Sequence, residues 1–492
     1  MADRPNILLL LSDQHNPHIA GFAGNALAHT QNLDRLADRG VRFDAAYCQS
    51  PLCVPSRISM LTGKYVHQVY AWTNGSVLYP DQLTFAEHLT NHGYTTALVG
   101  KMHLRGPKWM GGFQHRPYGD MVIGRFCFHQ PDPVQTWDGR WCDHEIGRFS
   151  WAGESEIPES LLGDGVVTRE SLAFLLEHVD KNPGTPWFLC AGYGWPHFPF
   201  TSPGRYFRRA MVDAPPLPPR PPGYPDSLHP HDRFLVEDFH LRRFSDDIQR
   251  RTVAAYYACV DYLDDCIGEL LDGLEGAGLL ENTYVIYTSD HGEMAGEHGL
   301  WSKRSYYDAS VRVPFLVAGP GITGGRAIRA PVELLDLFPT FCELAGVPIP
   351  DGLEGEGLIS ILHGERSARG KRFARADLLP GLEPVVFRMA ADERWKYVEF
   401  PGDPPILFDL AKDPGETTNL LASGQDAPEA PIDELRRAAT AGLSWEEIAR
   451  MRAEETERRP ASPEFDARGP VQYQLRDGRI VDADIFLYPG ID

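Results

Sequence analysis

The sequence has few cysteines, no long apolar run and a shortage of positive charge, and each shortage excludes a class of protein. Eight cysteines in 492 residues, with no C-x-x-C pair, are too few for a disulfide framework, a zinc knuckle or a thioredoxin-like motif. No stretch of about 18 apolar residues occurs, so we expect no membrane-spanning helix. Forty-seven basic against 68 acidic residues leave a net charge of −21, which repels phosphate backbones and argues against nucleic-acid binding.

The remaining composition indicates a globular protein with a sizeable core. Hydrophobic residues make up 42% of the chain and aromatic residues 11%, which excludes a disordered chain. At about 100–200 residues per domain, the length indicates one large domain with a smaller one, or three lesser ones. The first apolar run, Ile7–Leu11, is too short for a signal-peptide core, so we expect a reduced, cytoplasmic protein.

Buried strands alternate with helical segments up to about residue 370. Four apolar runs read as strands: Ile7–Leu11, Thr95–Val99, Trp187–Ala191 and Tyr284–Thr288. Four periodic segments read as helices: Thr30–Gly40, Leu83–His92, Arg251–Leu274 and Val332–Ala345. This order predicts an α/β fold with a doubly wound, mainly parallel sheet and helices on both faces. Ligands of such sheets bind beyond the carboxyl ends of the strands.

The pattern of apolar and polar residues changes after residue 370. Val385–Met389 and Lys396–Phe400 alternate as half-solvated antiparallel strands do, and Trp445–Arg459 reads as a charged helix. We therefore predict a catalytic domain over residues 1–370 and a smaller domain with an antiparallel sheet and a tail over residues 371–492. Within the first, seven prolines make Ala214–Pro225 an extended loop.

Two predicted strands end in side chains that ligate metals. Asp13 and Gln14 follow the first strand, and Asp290 and His291 follow the last. Carboxylate and amide oxygens with one imidazole suit Ca²⁺, Mg²⁺ or Mn²⁺. Either aspartate alone could simply cap a helix. Because the carboxyl ends of strands in one sheet converge, the pairs together favour a metal site.

A third element lies around Cys53. A lone cysteine is often only a small buried hydrophobic residue. Here Pro51 and Pro55 flank it and Arg57 follows, and proline in the first turn of a helix is preorganised. The amide groups at such a helix start attract anions. A thiol or its derivative there, beside a guanidinium, would lie in an anion-binding pocket.

These residues resemble the signature of the type I sulfatases of the alkaline phosphatase superfamily. Cys53-Val-Pro-Ser-Arg57 followed by Leu61-Thr-Gly63 matches it. Further matches occur in the family's order at Pro5–Leu8 with Asp13, Gly100–His103, Pro196-His197, Ser289–Gly292, Gly299–Lys303, Leu407–Leu410 and Asp413–Glu416. The resemblance covers roughly residues 5–420 and implies an alkaline-phosphatase-like fold. It also implies that Cys53 is oxidised to formylglycine by a formylglycine-generating enzyme.

The metal-ligand pairs depart from the commonest family pattern. Many members carry paired aspartates at the first strand and Asp-Asn at the later one, whereas this chain has Asp13-Gln14 and Asp290-His291. That variant resembles the choline-sulfatase and phosphonate-monoester-hydrolase branch. The branch implies a cytoplasmic homo-oligomer, a dimer or tetramer, and Asn74 matches its sulfate-contacting asparagine.

The resemblance assigns further roles. One divalent ion, Ca²⁺ foremost with Mn²⁺ or Mg²⁺ as alternatives, would be held by Asp13, Gln14, Cys53, Asp290 and His291. A hydrated aldehyde at residue 53 offers a hydroxyl as nucleophile. Its second hydroxyl, once deprotonated, expels sulfate and regenerates the aldehyde, which a serine could not do.

The same resemblance implies five further catalytic residues. Arg57 and Lys101 would stabilise the anionic oxygens, and His103 would be the base for the second hydroxyl. His197 and Lys303 would contact sulfate and protonate the leaving oxygen. Without the motifs, the lysines would read as surface charges, His103 as a strand-edge residue and His197 as a turn residue.

Three interpretations of function stay open. The first is hydrolysis of a small-molecule sulfate ester. The second keeps the site but acts on phosphonate monoesters or phosphodiesters, because tetrahedral oxyanions share their size. The third is a non-catalytic relative that only binds anions, and it predicts the loss of a site residue, which is not seen. The aromatic residues of 109–151 could pack under a loop or bind either a choline or an aryl group.

Overall fold

The computed structural model describes most of the chain. The C-terminal apolar run at 485–488 and residues 119–148 of the aromatic segment lie outside the described residues. The described ranges are residues 4–104, 106–118, 149–155, 157–379, 385–422, 429–460, 472–474 and 478–482.

An eight-stranded, mainly parallel sheet forms the centre of the molecule and confirms the predicted fold class. In spatial order its strands are β12 (Arg326–Ile328), β2 (Val41–Phe43), β11 (Phe315–Ala318), β9 (Thr283–Ser289), β1 (Asn6–Asp13), β7 (Trp187–Pro196), β4 (Thr95–Gly100) and β5 (His115–Tyr118). Only β11 runs antiparallel to its neighbours in this sheet. The central strand β1 is apolar from Ile7 to Leu11 because both of its faces are covered.

Helices cover both faces of the sheet, as predicted. In chain order they are α1 (Gln31–Arg39), α2 (Cys53–Thr62), α3 (Phe85–Asn91), α4 (Gly163–Lys181), α5 (Gly204–Asp213), α6 (Pro230–Asp238), α7 (Asp246–Gly276), α8 (Asp308–Val311), α9 (Leu337–Ala345), α10 (Ile359–Leu362), α11 (Ile432–Thr440) and α12 (Trp445–Arg458). Leu8 and Leu10 of β1 pack on the side of α1, α4 and α7, and Leu9 packs on the side of α2, α3 and α9. None of the described helices combines the length and apolarity that crossing a membrane requires.

One predicted helix begins too early. The segment predicted as a helix from Val332 starts instead with the strand β13 (Val332–Glu333), followed by a 3₁₀ turn, and α9 begins only at Leu337. The backbone N–H of Val332 donates to Ala45 O at 2.9 Å, so pairing with a neighbouring strand overrides the helical pattern.

The remaining strands, in small sheets, are β3 (Ala46–Tyr47), β6 (Gly153–Glu154), β8 (Thr201–Ser202), β10 (Arg312–Val313), β18 (Gln472–Gln474) and β19 (Ile480–Asp482).

A separate four-stranded antiparallel sheet follows residue 370, as predicted. Its strands are β14 (Ala374–Leu378), β15 (Phe387–Ala391), β16 (Trp395–Glu399) and β17 (Ile406–Asp409). The expectation of a half-solvated sheet is wrong, because α11 covers one face and the main core covers the other. The boundary between residues 370 and 371 stays a prediction.

A buried ion-pair cluster joins this sheet to the larger part of the molecule. Lys396 of β16 is fully buried, and its Nζ donates to the carboxyl groups of Asp308 and Glu416. The same Nζ donates to Tyr306 O at 3.2 Å. The cluster therefore fixes the segment that follows Lys303.

Replacing Lys396 with alanine is expected to destabilise the protein by about 3–5 kcal/mol, because two buried carboxyl groups lose a shared cation. Urea denaturation measures this free energy of unfolding. The matched control is Lys412→Ala: that side chain is 77% exposed and lies 3.8 Å from Asp409, so the expected cost is about 0.5 kcal/mol or less. A loss below about 1 kcal/mol for Lys396→Ala would show that the cluster does not hold the two parts together.

Candidate active site

Two aspartates meet at the carboxyl edge of the main sheet, as the sequence predicts. Asp13 is the last residue of β1, and Asp290 directly follows β9. Because Ser12 pairs with Ser289 in parallel register, the two strands end side by side. Both carboxyl groups are fully buried.

Four predicted metal ligands form one compact cluster. The ligand atoms of Asp13, Cys53, Asp290 and His291 all lie within 4.8 Å of one another. The Nδ1 of His291 lies 2.9 Å from Gly292 O, so Nδ1 carries the proton and donates it. The other ring nitrogen, Nε2, is left as an acceptor and lies 3.2 Å from Cys53 Sγ. This tautomer is the one a metal-ligating histidine needs.

Cys53 is the first residue of α2, at the helix end whose amide groups attract anions. Pro55 lies in the first turn, where its missing N–H costs no hydrogen bond. Burial, with Asp13 next, raises the pKa of the thiol to about 11. The Val54 N–H donates to Asn74 Oδ1 at 3.1 Å, so Asn74 reaches the same helix end. Among the described residues, no hydrogen bond engages the Asn74 Nδ2.

Arg57 bridges the two aspartates. Its Nη2 donates to Asp13 Oδ2 at 2.9 Å and its Nε to Asp290 Oδ2 at 2.8 Å, and all three side chains are fully buried. Lys101 Nζ also lies 2.6 Å from Asp13 Oδ2. Burial alone would raise the pKa of Asp13, but the cations, Lys101 foremost, hold it well below its usual range. Asp13 is therefore ionised, and its Oδ1 faces the cluster.

Lys303 contacts two of the predicted ligands, Cys53 and Gln14. Its Nζ donates to Cys53 Sγ at 3.1 Å and to Gln14 Oε1 at 2.8 Å. Both Lys303 and Gln14 are buried. The structure thus brings the fifth predicted ligand, Gln14, into the cluster through this lysine.

The two remaining histidines lie at the rim of the cluster. His197 Nε2 is 3.9 Å from Asp13 Oδ1, and its Nδ1 is 2.6 Å from Phe198 O. His103 has a buried Nδ1 with no hydrogen-bond partner among the described residues. Burial, reinforced by Lys101, holds the pKa of each histidine well below its usual range. Both are therefore neutral.

Three side chains around the cluster were missed by the sequence analysis. Glu293 accepts a hydrogen bond from Gln14 Nε2. Asp164 accepts from the backbone of Gly194 and Trp195 and so holds the end of β7 before His197; burial raises its pKa to about 7. Phe198 stacks on the His197 ring. Of these three residues, only Glu293 could have been suspected from the sequence, because it directly follows the Asp290–Gly292 motif.

The electrostatics of the site oppose those of the whole chain. Arg57, Lys101 and Lys303 meet the carboxylates of Asp13 and Asp290 in a chain with a net charge of −21. Three buried basic side chains at the carboxyl ends of parallel strands suit an anionic ester. Fold and site together define a hydrolase of the α/β class.

Comparison with known proteins specifies the family. The Sulfatase family pattern matches residues 5–347, and the pattern named N-sulphoglucosamine sulphohydrolase, C-terminal, matches residues 296–436. The chain therefore belongs to the Sulfatase family, the type I sulfatases of the alkaline phosphatase superfamily, and is a sulfuric ester hydrolase.

Individual relatives agree with this assignment. Choline-sulfatase of Rhizobium meliloti (strain 1021) is 33% identical over 460 residues, which cover 89% of this chain and 85% of the relative. Arylsulfatase K of Bos taurus is 28% identical over 467 residues, covering 88% and 81%. The fold resembles that of the phosphonate monoester hydrolase SpPMH from Silicibacter pomeroyi, with a TM-score of 0.75, 24% identity and coverage of 92% and 96%.

Proposed function

We propose that this chain hydrolyses a sulfate ester of a small alcohol or phenol, using formylglycine made from Cys53 and one divalent ion. The observation that carries the proposal is the place of Cys53. Its Sγ begins a buried helix, 3.2 Å from His291 Nε2 and 3.1 Å from Lys303 Nζ. A nucleophile at residue 53 would therefore face both the ion ligands and a proton donor.

The residues present fit a divalent ion. Two carboxyl groups, a neutral imidazole and the Gln14 amide oxygen form a mostly oxygen donor set, which favours Ca²⁺ and admits Mn²⁺ or Mg²⁺. When bound, the ion lowers the pKa of a coordinated hydroxyl and neutralises the oxyanion. His291 can serve as a ligand only because Gly292 O holds its proton at Nδ1.

The surrounding cations would then act on the ester. Lys303, with its Nζ beside residue 53, would contact the sulfuryl oxygens and protonate the leaving oxygen, and His197 would contact sulfate. Arg57 and Lys101 would hold the negative charge in place. His103, neutral and with a buried Nδ1 without a partner among the described residues, would take the proton from the second hydroxyl. Asn74 Nδ2 would contact sulfate.

The names of the relatives support two leaving groups, choline and an aryl alcohol. The second candidate activity, on phosphonate monoesters or phosphodiesters, is compatible with the same site. The buried Arg57, Lys101 and Lys303 suit any tetrahedral oxyanion and do not distinguish sulfur from phosphorus. We also propose a cytoplasmic dimer or tetramer and maturation by a formylglycine-generating enzyme.

The ratio of kcat/KM for an aryl sulfate to that for a phenyl phosphonate, measured on one preparation, separates the two activities. We expect a ratio well above one, because the chain belongs to the sulfatases. A ratio well below one would reject the sulfate ester as the main substrate. Choline sulfate, assayed in parallel by sulfate release, tests the quaternary leaving group. Intact-protein mass spectrometry of the same preparation reports whether residue 53 is a thiol or an aldehyde.

A further inference from the structure

Glu293 is a buried acidic residue beside the cluster with no lysine or arginine paired to it among the described residues. It is fully buried, two residues after His291. Its partners are N–H donors alone: Oε2 accepts from Gln14 Nε2, and Oε1 accepts from the backbone N–H groups of Ala295 and Ser302. A buried carboxyl group without a counter-charge is costly, so this arrangement calls for a function.

The three residues that donate to Glu293 share an unusual backbone conformation. Gln14, Ala295 and Ser302 have φ values of 68°, 46° and 69°, in the left-handed region that residues other than glycine rarely adopt. Such conformations persist only where surrounding contacts hold them, and they cluster at functional sites. Glu293 is the shared contact. Its carboxyl group therefore joins the Gln14 side chain to the backbone at Ala295 and Ser302.

The hydrogen bonds also fix which end of the Gln14 amide faces Lys303. Lys303 Nζ can only donate, and it donates to Gln14 Oε1 at 2.8 Å. Glu293 accepts from the other end, Nε2. If the amide were rotated by half a turn, donor would face donor at Lys303 and acceptor would face acceptor at Glu293. Glu293 therefore directs the Gln14 oxygen toward the cluster.

We propose that Glu293 is a positioning residue that orients Gln14 for the ion and holds Ser302, and through it Lys303, against residue 53. Glu293 acts through these two residues and touches neither the ion nor the ester. The inference rests on the ion site of the proposed function. Ligand-orienting partners of this kind are typically worth about 10- to 100-fold in metal affinity.

The test is Glu293→Gln, which keeps the shape but replaces one acceptor oxygen with an NH₂ group. The remaining oxygen can satisfy Ala295 and Ser302, so the NH₂ group then faces the Gln14 amide. Gln14 must lose that hydrogen bond or rotate its own NH₂ toward Lys303. After chelator treatment, calorimetric titration with Ca²⁺ should show affinity weakened by about 10- to 100-fold, with kcat lowered more than KM is raised.

The exchange variant Gln14→Glu/Glu293→Gln distinguishes orientation from bulk stability. The new amide at position 293 can donate to the new carboxylate at position 14, which again presents an oxygen to the cluster, and the net charge is unchanged. We expect Ca²⁺ affinity to return to within about tenfold of wild type. If Glu293→Gln does not fold, the exchange variant alone still tests the proposal. If residue 293 itself had to be a carboxylate, the exchange variant would also have weakened Ca²⁺ affinity.

Glu333→Gln is the matched control. Glu333 is also buried and accepts from Tyr65, Arg369 and Arg375 in a cluster without candidate site residues. It should lose thermal stability and keep Ca²⁺ affinity. Wild-type Ca²⁺ affinity and kcat in Glu293→Gln would overturn this inference without touching the proposed ion site. Losses in the exchange variant as large as those in Glu293→Gln would do the same. Wild-type protein that binds no divalent ion would overturn the proposed ion site and this inference together.

Discussion

Cys53→Ala is expected to abolish turnover of sulfate esters while leaving the protein folded. The variant lacks both the thiol and any aldehyde made from it, so no group beside Lys303 can attack sulfur. We expect kcat to fall by about 10⁴-fold or more, as for loss of a covalent nucleophile. The buried thiol is small, so the free energy of unfolding should fall by about 1 kcal/mol or less. Steady-state kinetics and urea denaturation measure the two effects.

Cys342→Ala is the matched control for this prediction. Cys342 is a buried thiol on α9, in the core on the same side of the sheet as α2. It should lose stability to a similar extent and keep wild-type kcat. Cys53→Ser adds a further comparison, since a serine ester has no second hydroxyl to expel sulfate. More than a tenth of wild-type activity in Cys53→Ala would reject residue 53 as the nucleophile.

Asp290→Asn is expected to weaken ion binding and turnover together. Asp290 Oδ1 accepts from the N–H groups of Gln14 and His291, and Oδ2 accepts from Arg57 Nε. An asparagine oxygen can serve only one side, so its NH₂ group would face either the guanidinium or two N–H donors. The change also removes a negative charge from the ligand set. We expect ion affinity and kcat each to fall by about 100-fold or more.

Asp377→Asn controls for the loss of a buried carboxyl group elsewhere. Asp377 is buried on β14, with its Oδ2 3.5 Å from Arg375 Nη2, and it belongs to no candidate ligand set. Its ion affinity, measured by calorimetry beside that of Asp290→Asn, should match wild type. Unchanged affinity and activity in Asp290→Asn would mean that the ion, if one binds, is held elsewhere.

The sequence alone predicts the centre of the fold because burial there is extreme. β1 and β9 are buried on both faces, and the apolar run of each is followed closely by an aspartate, Asp13 or Asp290. The errors occur where partners from distant parts of the chain decide. Val332 pairs with a strand, and Lys396 is buried only because Asp308 and Glu416 meet it. Neither partner can be found from local periodicity.

The candidate site divides in the same way. Asp13, Cys53 and Asp290 stand out because strand ends and a proline-flanked helix start make them visible locally. Lys101, His103, His197 and Lys303 were expected only through the family resemblance, since each alone reads as a surface or turn residue. Glu293 carries no motif of its own, and its importance comes from donors supplied by residues 14, 295 and 302.

Because Lys396 is buried against Asp308 and Glu416, the segment after Lys303 can be anchored only after residues 396 and 416 have been synthesised. Lys396, which pairs with Asp308 and the backbone of Tyr306, comes 88 and 90 positions after them, and Glu416 comes later still. A nascent chain that contains only the strands of the large sheet therefore lacks Lys396 and Glu416, which anchor the segment after Lys303. Nonsense mutations anywhere before residue 416 should give inactive polypeptides, even though every candidate ion ligand lies far upstream.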